Sequence, residues 1–155
     1  MEAVFLVWPF AVADGATAAV AALTGAGAGV VFLSSAAVRD VPGHGPVSPG
    51  RPDAGLEAAI ARSGVPYTFL RPHGFMANTL RWAAEIRASG TVRGFAGGAG
   101  TTLADERDIA AVAVQALTGP GHDGARYDLT GPASPTRAEQ VRIIGEAISR
   151  PVRWE

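Results

Sequence analysis

The sequence contains no cysteine and no lysine, and all 13 of its basic residues are arginines. The absence of cysteine excludes disulfides, thiol nucleophiles and cysteine-ligated zinc. The absence of lysine excludes a Schiff-base lysine and the phosphate-binding lysine of a P-loop. Arginine cannot replace lysine where the amine must change its proton count, because arginine keeps its proton in proteins.

Strong net charge and long apolar runs are also missing. The formal net charge is −1, which gives no electrostatic reason to expect a nucleic-acid partner. No apolar run approaches the roughly 20 residues of a membrane-spanning helix. The first ten residues carry Glu2 and no basic residue, unlike a signal peptide. We therefore expect a cytoplasmic protein that binds neither nucleic acid nor a membrane.

Short apolar runs alternate with stretches of helical periodicity, which is typical of an α/β fold with parallel strands. The main strands are predicted at 3–8, 30–34, 66–70 and 127–130, with a short one at 91–93. We expect the first three to be neighbours in that order. Helices are predicted over about 15–24, 53–62, 75–87, 106–117 and 137–149.

Local signals refine the helix predictions. Asp14 is expected to cap the first helix, and Thr136 with Glu139 forms the pattern of a capping box. The helix over 75–87 is predicted to bury Met76 and Leu80. The stretch between about Val41 and Pro52, rich in glycine and proline, is predicted to be a loop.

Two kinds of loop residue invite functional interpretations that we do not favour. Gly25, Gly27 and Gly29 resemble a phosphate-binding loop, but that loop must follow a strand and begin a helix. Here the order is reversed, so a helix-to-strand connection is predicted. The three histidines lie in separate loops at unrelated spacings, and we predict no metal site.

Four segments carry a resemblance to a known family. They are Val4–Pro9, Val31–Ser35, Ser63–Pro72 followed by Gly74–Met76 and Asn78, and Arg107–Ala110 together with Tyr127–Pro132. They resemble the fourth, fifth and sixth strands and a later helix and strand of NmrA-like domains, in the family's order and over nearly the whole chain. The sequence therefore resembles the NmrA-like, atypical short-chain dehydrogenase/reductases.

The resemblance implies a partial Rossmann-like, three-layer α/β fold with a mostly parallel sheet that lacks the first βαβαβ half. Residues 1–155 would be one incomplete domain, and the cofactor would be NADP(H) or NAD(H). Because the glycine-rich turn of the family is not found here, we expect the isolated chain to bind either dinucleotide weakly. The open edge of the strand at 3–8 favours a homodimer or another association.

The resemblance also implies catalytic positions. Ser34 or Ser35 would hydrogen-bond the substrate carbonyl, although either could instead cap the turn that follows the strand. Asp53 and Glu57 occupy the positions of the family's Tyr-x-x-x-Lys pair. Two carboxylates cannot perform those roles at neutral pH. We therefore predict a solvated helix face, and less than about a tenfold change in activity when either residue becomes alanine.

Binding positions follow in the same way. Trp8, Pro9 and Phe10 would lie on the adenine–ribose side of the cofactor. The loop of Pro72, His73, Gly74 and Phe75 would touch the nicotinamide, with Phe75 stacking on a ring or simply packing. Asn78 and Trp82, one helical turn apart, would line the substrate pocket, with core packing as the alternative for Trp82.

Three functions remain open. The first is hydride transfer to a quinone-like small molecule, which needs no tyrosine proton donor, with activity impaired in this chain alone. The second is a dinucleotide-sensing regulator or scaffold without turnover. The third is a non-redox, isomerase-like or ligand-binding protein that uses Asp53 or Glu57 as a base.

Overall fold

A computed structural model describes residues 3–12, 15–49 and 51–155 of the chain, so the predicted cap Asp14 lies outside the described residues. The strands are β1 (Ala3–Val7), β2 (Gly29–Leu33), β3 (Arg39–Val41), β4 (Gly45–Val47), β5 (Tyr67–Pro72), β6 (Gly74–Phe75), β7 (Thr91–Val92), β8 (Leu103–Ala104), β9 (Ala125–Leu129) and β10 (Arg153–Trp154). The α-helices are α1 (Ala16–Gly25), α2 (Asp53–Arg62), α3 (Ala83–Ser89), α4 (Glu106–Thr118) and α5 (Arg137–Ala147), and a 3₁₀ helix spans Met76–Trp82. Across these three ranges, no helix is long and apolar enough to cross a membrane.

The chain packs as two compact units. The larger unit runs to His73 and includes Arg107–Leu129, and the smaller unit consists of Gly74–Glu106 and Thr130–Glu155. Each unit has its own buried apolar cluster. The assignment of residues 1–155 to one incomplete domain stays a prediction.

The larger unit is built on a parallel sheet. Its strand order is β1-β2-β5-β9, and each adjacent pair is parallel. The prediction that the first three strands are neighbours in this order is therefore confirmed. An apolar strand with helices on both faces of its sheet reads as a continuous hydrophobic run, as Val30–Leu33 does.

Helices cover this sheet on two faces, which confirms the predicted α/β, three-layer architecture. On one face, Val20 of α1 and Leu56 of α2 pack against Phe32 and Phe69. On the other face, Ala113 of α4 packs in a cluster with buried strand residues, Val31 and Leu70. Successive strand residues point to opposite faces, so neighbouring residues of one strand enter different layers.

Segments of the larger unit that contain proline or glycine differ from the predictions in two places and agree in a third. Strand β5 was predicted to end before Pro72, but Pro72 continues it. Its carbonyl accepts a hydrogen bond of 3.0 Å from the Ala36 amide, and proline lacks only the donor. The predicted loop contains the antiparallel hairpin of β3 and β4. Gly27, with a φ of 69°, lies between α1 and β2 and confirms the helix-to-strand connection.

The smaller unit corrects the predicted helix over 75–87. Met76–Trp82 winds as a 3₁₀ helix, and only Ala83–Ser89 is α-helical. Met76 and Leu80 are 41% and 71% exposed, so the prediction that they are buried is wrong. A 3₁₀ helix has three residues per turn, so a core face spaced for an α-helix is not preserved along it. Ile86 of α3 is buried instead.

Close backbone approaches and one helix cap hold the smaller unit together. The predicted capping box is confirmed: the Thr136 hydroxyl accepts from the Glu139 amide, and the Glu139 carboxylate accepts from the Thr136 amide. A Cβ on Gly131 would lie 2.1 Å from the Leu103 carbonyl oxygen. Only glycine allows the chain after β9 to pass β8 at this distance.

Candidate functional site

Several predicted binding residues follow the carboxyl ends of the strands in the larger unit. Trp8 to Phe10 follow β1, Ser34 and Ser35 follow β2, and Pro72 and His73 complete β5 or follow it. Since the three strands are parallel neighbours, these segments reach the same edge of the sheet. In open α/β sheets, ligands bind at this edge.

A buried polar network begins at this edge. The Ser34 hydroxyl donates a hydrogen bond of 2.5 Å to Glu57 Oε1. Arg71 donates to the same carboxylate twice, from Nε to Oε1 at 3.0 Å and from Nη2 to Oε2 at 2.7 Å. Both oxygens of Glu57 are therefore engaged, and the Ser34 proton points at Glu57.

The other side of the Arg71 guanidinium binds Asp40. Nη1 donates to Oδ2 at 2.8 Å and Nη2 donates to Oδ1 at 3.2 Å, so the contact is bidentate. The hydrogen bond from Arg71 holds the pKa of the Asp40 carboxyl below its usual range. The hydrogen bonds that Arg71 donates to Glu57 are the largest cause of the raised pKa of Arg71, which stays charged. The network thus ties together the end of β2, the hairpin, α2 and β5.

The prediction of a solvated helix face for Asp53 and Glu57 is wrong. They are 5% and 1% exposed, respectively. Asp53 accepts a hydrogen bond of 2.6 Å from Arg51 Nε, and Glu57 is held by Arg71. Because Asp53 and Glu57 are four residues apart, both side chains lie on one helix face as expected. That face, however, is buried. A buried carboxylate needs such partners to remain charged.

The two serines at the end of β2 differ in their contacts. The Ser35 hydroxyl accepts a hydrogen bond of 3.1 Å from the Ala37 amide and caps the turn, as in the alternative interpretation. Ser34 is buried and belongs to the network. Its role toward a substrate carbonyl stays a prediction.

The aromatic segment after β1 offers exposed apolar surface. Trp8 is half-buried and donates from Nε1 to the Val12 carbonyl at 2.9 Å. Phe10 is 59% exposed and meets Trp8 edge to face, with ring centroids 5.2 Å apart. Trp8 is thus anchored, while Phe10 stays largely exposed. The contact of Trp8, Pro9 and Phe10 with a cofactor stays a prediction.

The smaller unit contains a cavity of about 100 Å³, which we call the arginine cavity. It is lined by Gly74, Asn78, Thr79, Arg81, Trp82, Thr101, Leu103, Arg137 and Gln140. Asn78 and Trp82, predicted to share a substrate pocket, do line one cavity together. Trp82 also packs edge to face on Trp154, at 5.8 Å between centroids, so its packing alternative holds as well. Their contact with a substrate stays a prediction.

Gly74 and Phe75 lie beside this cavity in the pair of β6 with β8. A Cβ on Gly74 would come within 2.6 Å of Leu103 Cδ2. Phe75 is half-buried, and the role of both residues toward a nicotinamide ring stays a prediction.

The sequence analysis did not identify four charged residues. Asp40 and Arg71 belong to the buried polar network, and Arg81 and Arg137 line the arginine cavity. One signal was available, because Arg137 is the first residue of α5. A cation at a helix N-terminus opposes the helix dipole, so its presence there calls for an explanation. The partners of Arg71 had no such signal, because they lie 14 and 31 residues away in sequence.

A larger cavity, of about 530 Å³, lies in the larger unit at the amino ends of the strands. Its lining includes Gly29, Pro66, Tyr67 and Asp123. None of the predicted site residues lines it. Its position is the edge opposite to the one at which open α/β sheets bind ligands, so size alone does not mark it as the site.

No family model matches the chain. The chain is 50% identical over 99 residues to a (4-alkanoyl-5-oxo-2,5-dihydrofuran-3-yl)methyl phosphate reductase of Streptomyces griseus, which covers 64% of this chain and 35% of the relative. It is 39% identical over 123 residues to an NAD(P)H azoreductase of Xenophilus azovorans, a match that covers 79% of this chain and 43% of the relative. It is 32% identical over 131 residues to quinone oxidoreductase 2 of Escherichia coli, covering 83% and 44%. The chain thus spans less than half the length of these relatives.

Solved structures share the fold. A Citrobacter triphenylmethane reductase superposes with a TM-score of 0.82 at 20% identity, covering 100% of this chain and 55% of that one. The NADPH complex of an Escherichia coli NADPH-dependent quinone oxidoreductase gives 0.82 at 24% identity, with the same coverage of 100% and 55%. These sequence relatives and folds confirm the resemblance of the chain to the NAD(P)-binding, NmrA-like reductases of the atypical short-chain dehydrogenase class.

Proposed function

We propose that this chain forms part of an NAD(P)H-dependent oxidoreductase that reduces a small, electron-poor acceptor, such as a quinone. The observation that carries the proposal is its similarity to three reductases, each at least 32% identical over 64–83% of this chain. The Streptomyces griseus relative is named for an acceptor that is a phosphate ester, a substituted dihydrofuranylmethyl phosphate. A phosphorylated acceptor therefore falls within the proposed class.

The residues at the carboxyl edge fit a dinucleotide. The edge presents the exposed Phe10 ring and Pro9 after β1, with Pro72 at the end of β5 and His73 directly after it. When bound, the nicotinamide supplies the hydride. The chain's own residues would bind the cofactor at this edge. The hydrogen-bond network around Arg71 would fix the positions of the strands and loops that form the edge.

The proton donors of the chain favour an acceptor of the quinone type. Of the two tyrosines in the sequence, Tyr67 begins β5 and so lies at the amino edge. The Tyr127 hydroxyl lies 2.8 Å from His122 Nδ1, within hydrogen-bond distance. With no lysine and no tyrosine at the carboxyl edge, an acceptor that solvent protonates after hydride transfer suits this chain best.

The same geometry disfavours the isomerase alternative. A general base must have an oxygen free to take a proton from the substrate. Both oxygens of Glu57 accept hydrogen bonds inside the protein, and Asp53 is buried and paired with Arg51. We therefore place hydride transfer ahead of it.

NAD(P)H consumption with a panel of quinones tests the proposal. We would assay the 155-residue chain and a fusion of it to the segment that precedes its match in the Escherichia coli quinone oxidoreductase. The control is that segment alone. We expect quinone-dependent oxidation by the fusion. A fusion that unfolds cooperatively and binds NADPH without turnover would favour the sensing alternative, and one that binds no dinucleotide would contradict the proposal.

A further inference from the structure

The arginine cavity of the smaller unit has an unusual charge distribution. Arg81 and Arg137 both line it, and no aspartate or glutamate does. Asn78 and Thr101 add an amide and a hydroxyl to the lining. Two arginines beside neutral hydrogen-bonding residues give the lining a net positive charge, which attracts an anion.

The two arginines have no carboxylate partner among the described residues. The acidic residues closest to them in sequence have other contacts. Glu85 Oε2 accepts from the Arg93 amide at 3.1 Å, and Glu139 Oε2 accepts from the Thr136 amide and hydroxyl, both at 2.7 Å. Arginine in a folded protein commonly pairs with a carboxylate or binds an oxyanion. These two guanidinium groups therefore remain available to an external oxyanion.

The position of Arg137 adds to the positive electrostatic potential near the arginine cavity. It begins α5, an 11-residue helix, whose N-terminus carries a partial positive charge. The arginine and the helix dipole have the same sign, and the Glu139 carboxylate of the capping box offsets part of this positive charge. A dianion bound beside Arg137 would be attracted by the positive charge that remains.

The volume of the arginine cavity limits the size of the ligand group that it can hold. About 100 Å³ holds a small oxyanion group, whereas sites for whole drug-sized ligands measure roughly 300–1,000 Å³. We propose that the arginine cavity binds a phosphate monoester, with Arg81 and Arg137 as its ligands. That this phosphate belongs to the reduced acceptor, which would be a phosphate ester, rests on the proposed function.

Calorimetric titration of the 155-residue chain with phenyl phosphate tests the site without cofactor or turnover. We expect saturable binding of phenyl phosphate and none of phenol. Arg81→Gln and Arg137→Gln should each weaken binding by about tenfold. The matched control is Arg87→Gln, because Arg87 is also exposed, lies in the same unit and does not line the cavity. It should change the affinity by less than about twofold.

Two results would overturn the proposal. One is the absence of saturable binding at millimolar phenyl phosphate, and the other is equal weakening by all three variants, which would indicate general charge attraction. Competition identifies the source of the phosphate. Displacement by NADP⁺ but not by NAD⁺, lost in Arg81→Gln, would assign the cavity to the cofactor 2′-phosphate and contradict an acceptor subsite. Failure of NAD(P)H turnover would leave the binding result intact, so the two proposals fail separately.

Discussion

Arginine has opposite surroundings in the two units. Arg71 of the larger unit is 5% exposed and binds two carboxylates, Glu57 and Asp40. Arg81 and Arg137 of the smaller unit are exposed and face a cavity without a carboxylate. A buried guanidinium must be paired, because desolvation of an unpaired charge is costly. An exposed guanidinium bears no such cost, so it can remain open to a ligand. The difference separates a structural arginine from two candidate binding arginines.

The largest expected effect tests the structural side of this comparison. Glu57→Ala leaves Arg71 buried with only Asp40 as a partner, which should cost about 3 kcal/mol of stability. Urea unfolding of the two proteins measures the difference. Glu57→Gln retains hydrogen-bond acceptors and should cost less. A loss below about 1 kcal/mol for the alanine variant would show that the network contributes little.

A backbone contact of the smaller unit gives the next effect. Gly131→Ala places a Cβ against the Leu103 carbonyl, and we expect a loss of about 2 kcal/mol. Gly98→Ala is the control, because a Cβ there meets nothing within 4 Å. The midpoint of urea unfolding should fall for the first variant only. Equal midpoints would mean that the segment after β9 can move away from β8 without loss of stability.

Ser34 and Ser35 allow a smaller comparison within the larger unit. Ser34→Ala removes the hydrogen bond to buried Glu57 and should cost about 1 kcal/mol. Ser35→Ala removes a solvent-exposed turn bond and should cost less. If Ser34→Ala instead left the midpoint of chemical unfolding unchanged, Glu57 would not depend on the serine hydroxyl.

The smallest expected effect is the contribution of Asp40 to the pH dependence of folding stability. Its pKa is lower in the folded chain than in the unfolded chain, because Arg71 stabilises the charged form. The resulting stability is fully present above the unfolded pKa, near 4. It is lost as pH falls through the folded pKa. About half of the Asp40 side chain is exposed, so solvent weakens the effect.

Asp40→Asn tests this dependence. Thermal unfolding between neutral pH and strongly acidic pH should show a shallower loss of stability for the variant than for the parent chain. Parallel curves would show that the Asp40 contact contributes no acid dependence.

Local signals predicted the elements with accuracy where the pattern was long and apolar. Helix α2 was predicted at 53–62 and spans Asp53–Arg62, because Leu56 and Ile60 repeat at helical spacing and Gly64 follows. The capping box at Thr136 was predicted from two residues three apart. The 3₁₀ segment from Met76 was not, because an apolar pattern does not distinguish three residues per turn from 3.6 over so short a stretch.

The sequence by itself determined the parallel order of the first three main strands and the shared helix face of Asp53 and Glu57. It also predicted that Asn78 and Trp82 line one pocket. They do line one cavity, although the α-helical spacing on which the prediction relied is absent, because both residues lie in the 3₁₀ helix. Only the tertiary structure decided that the face of Glu57 is buried. The reason is that its partners, Ser34, Asp40 and Arg71, come from other elements. Likewise, Arg81 and Arg137 are distant in sequence, and folding of the smaller unit brings them to one cavity.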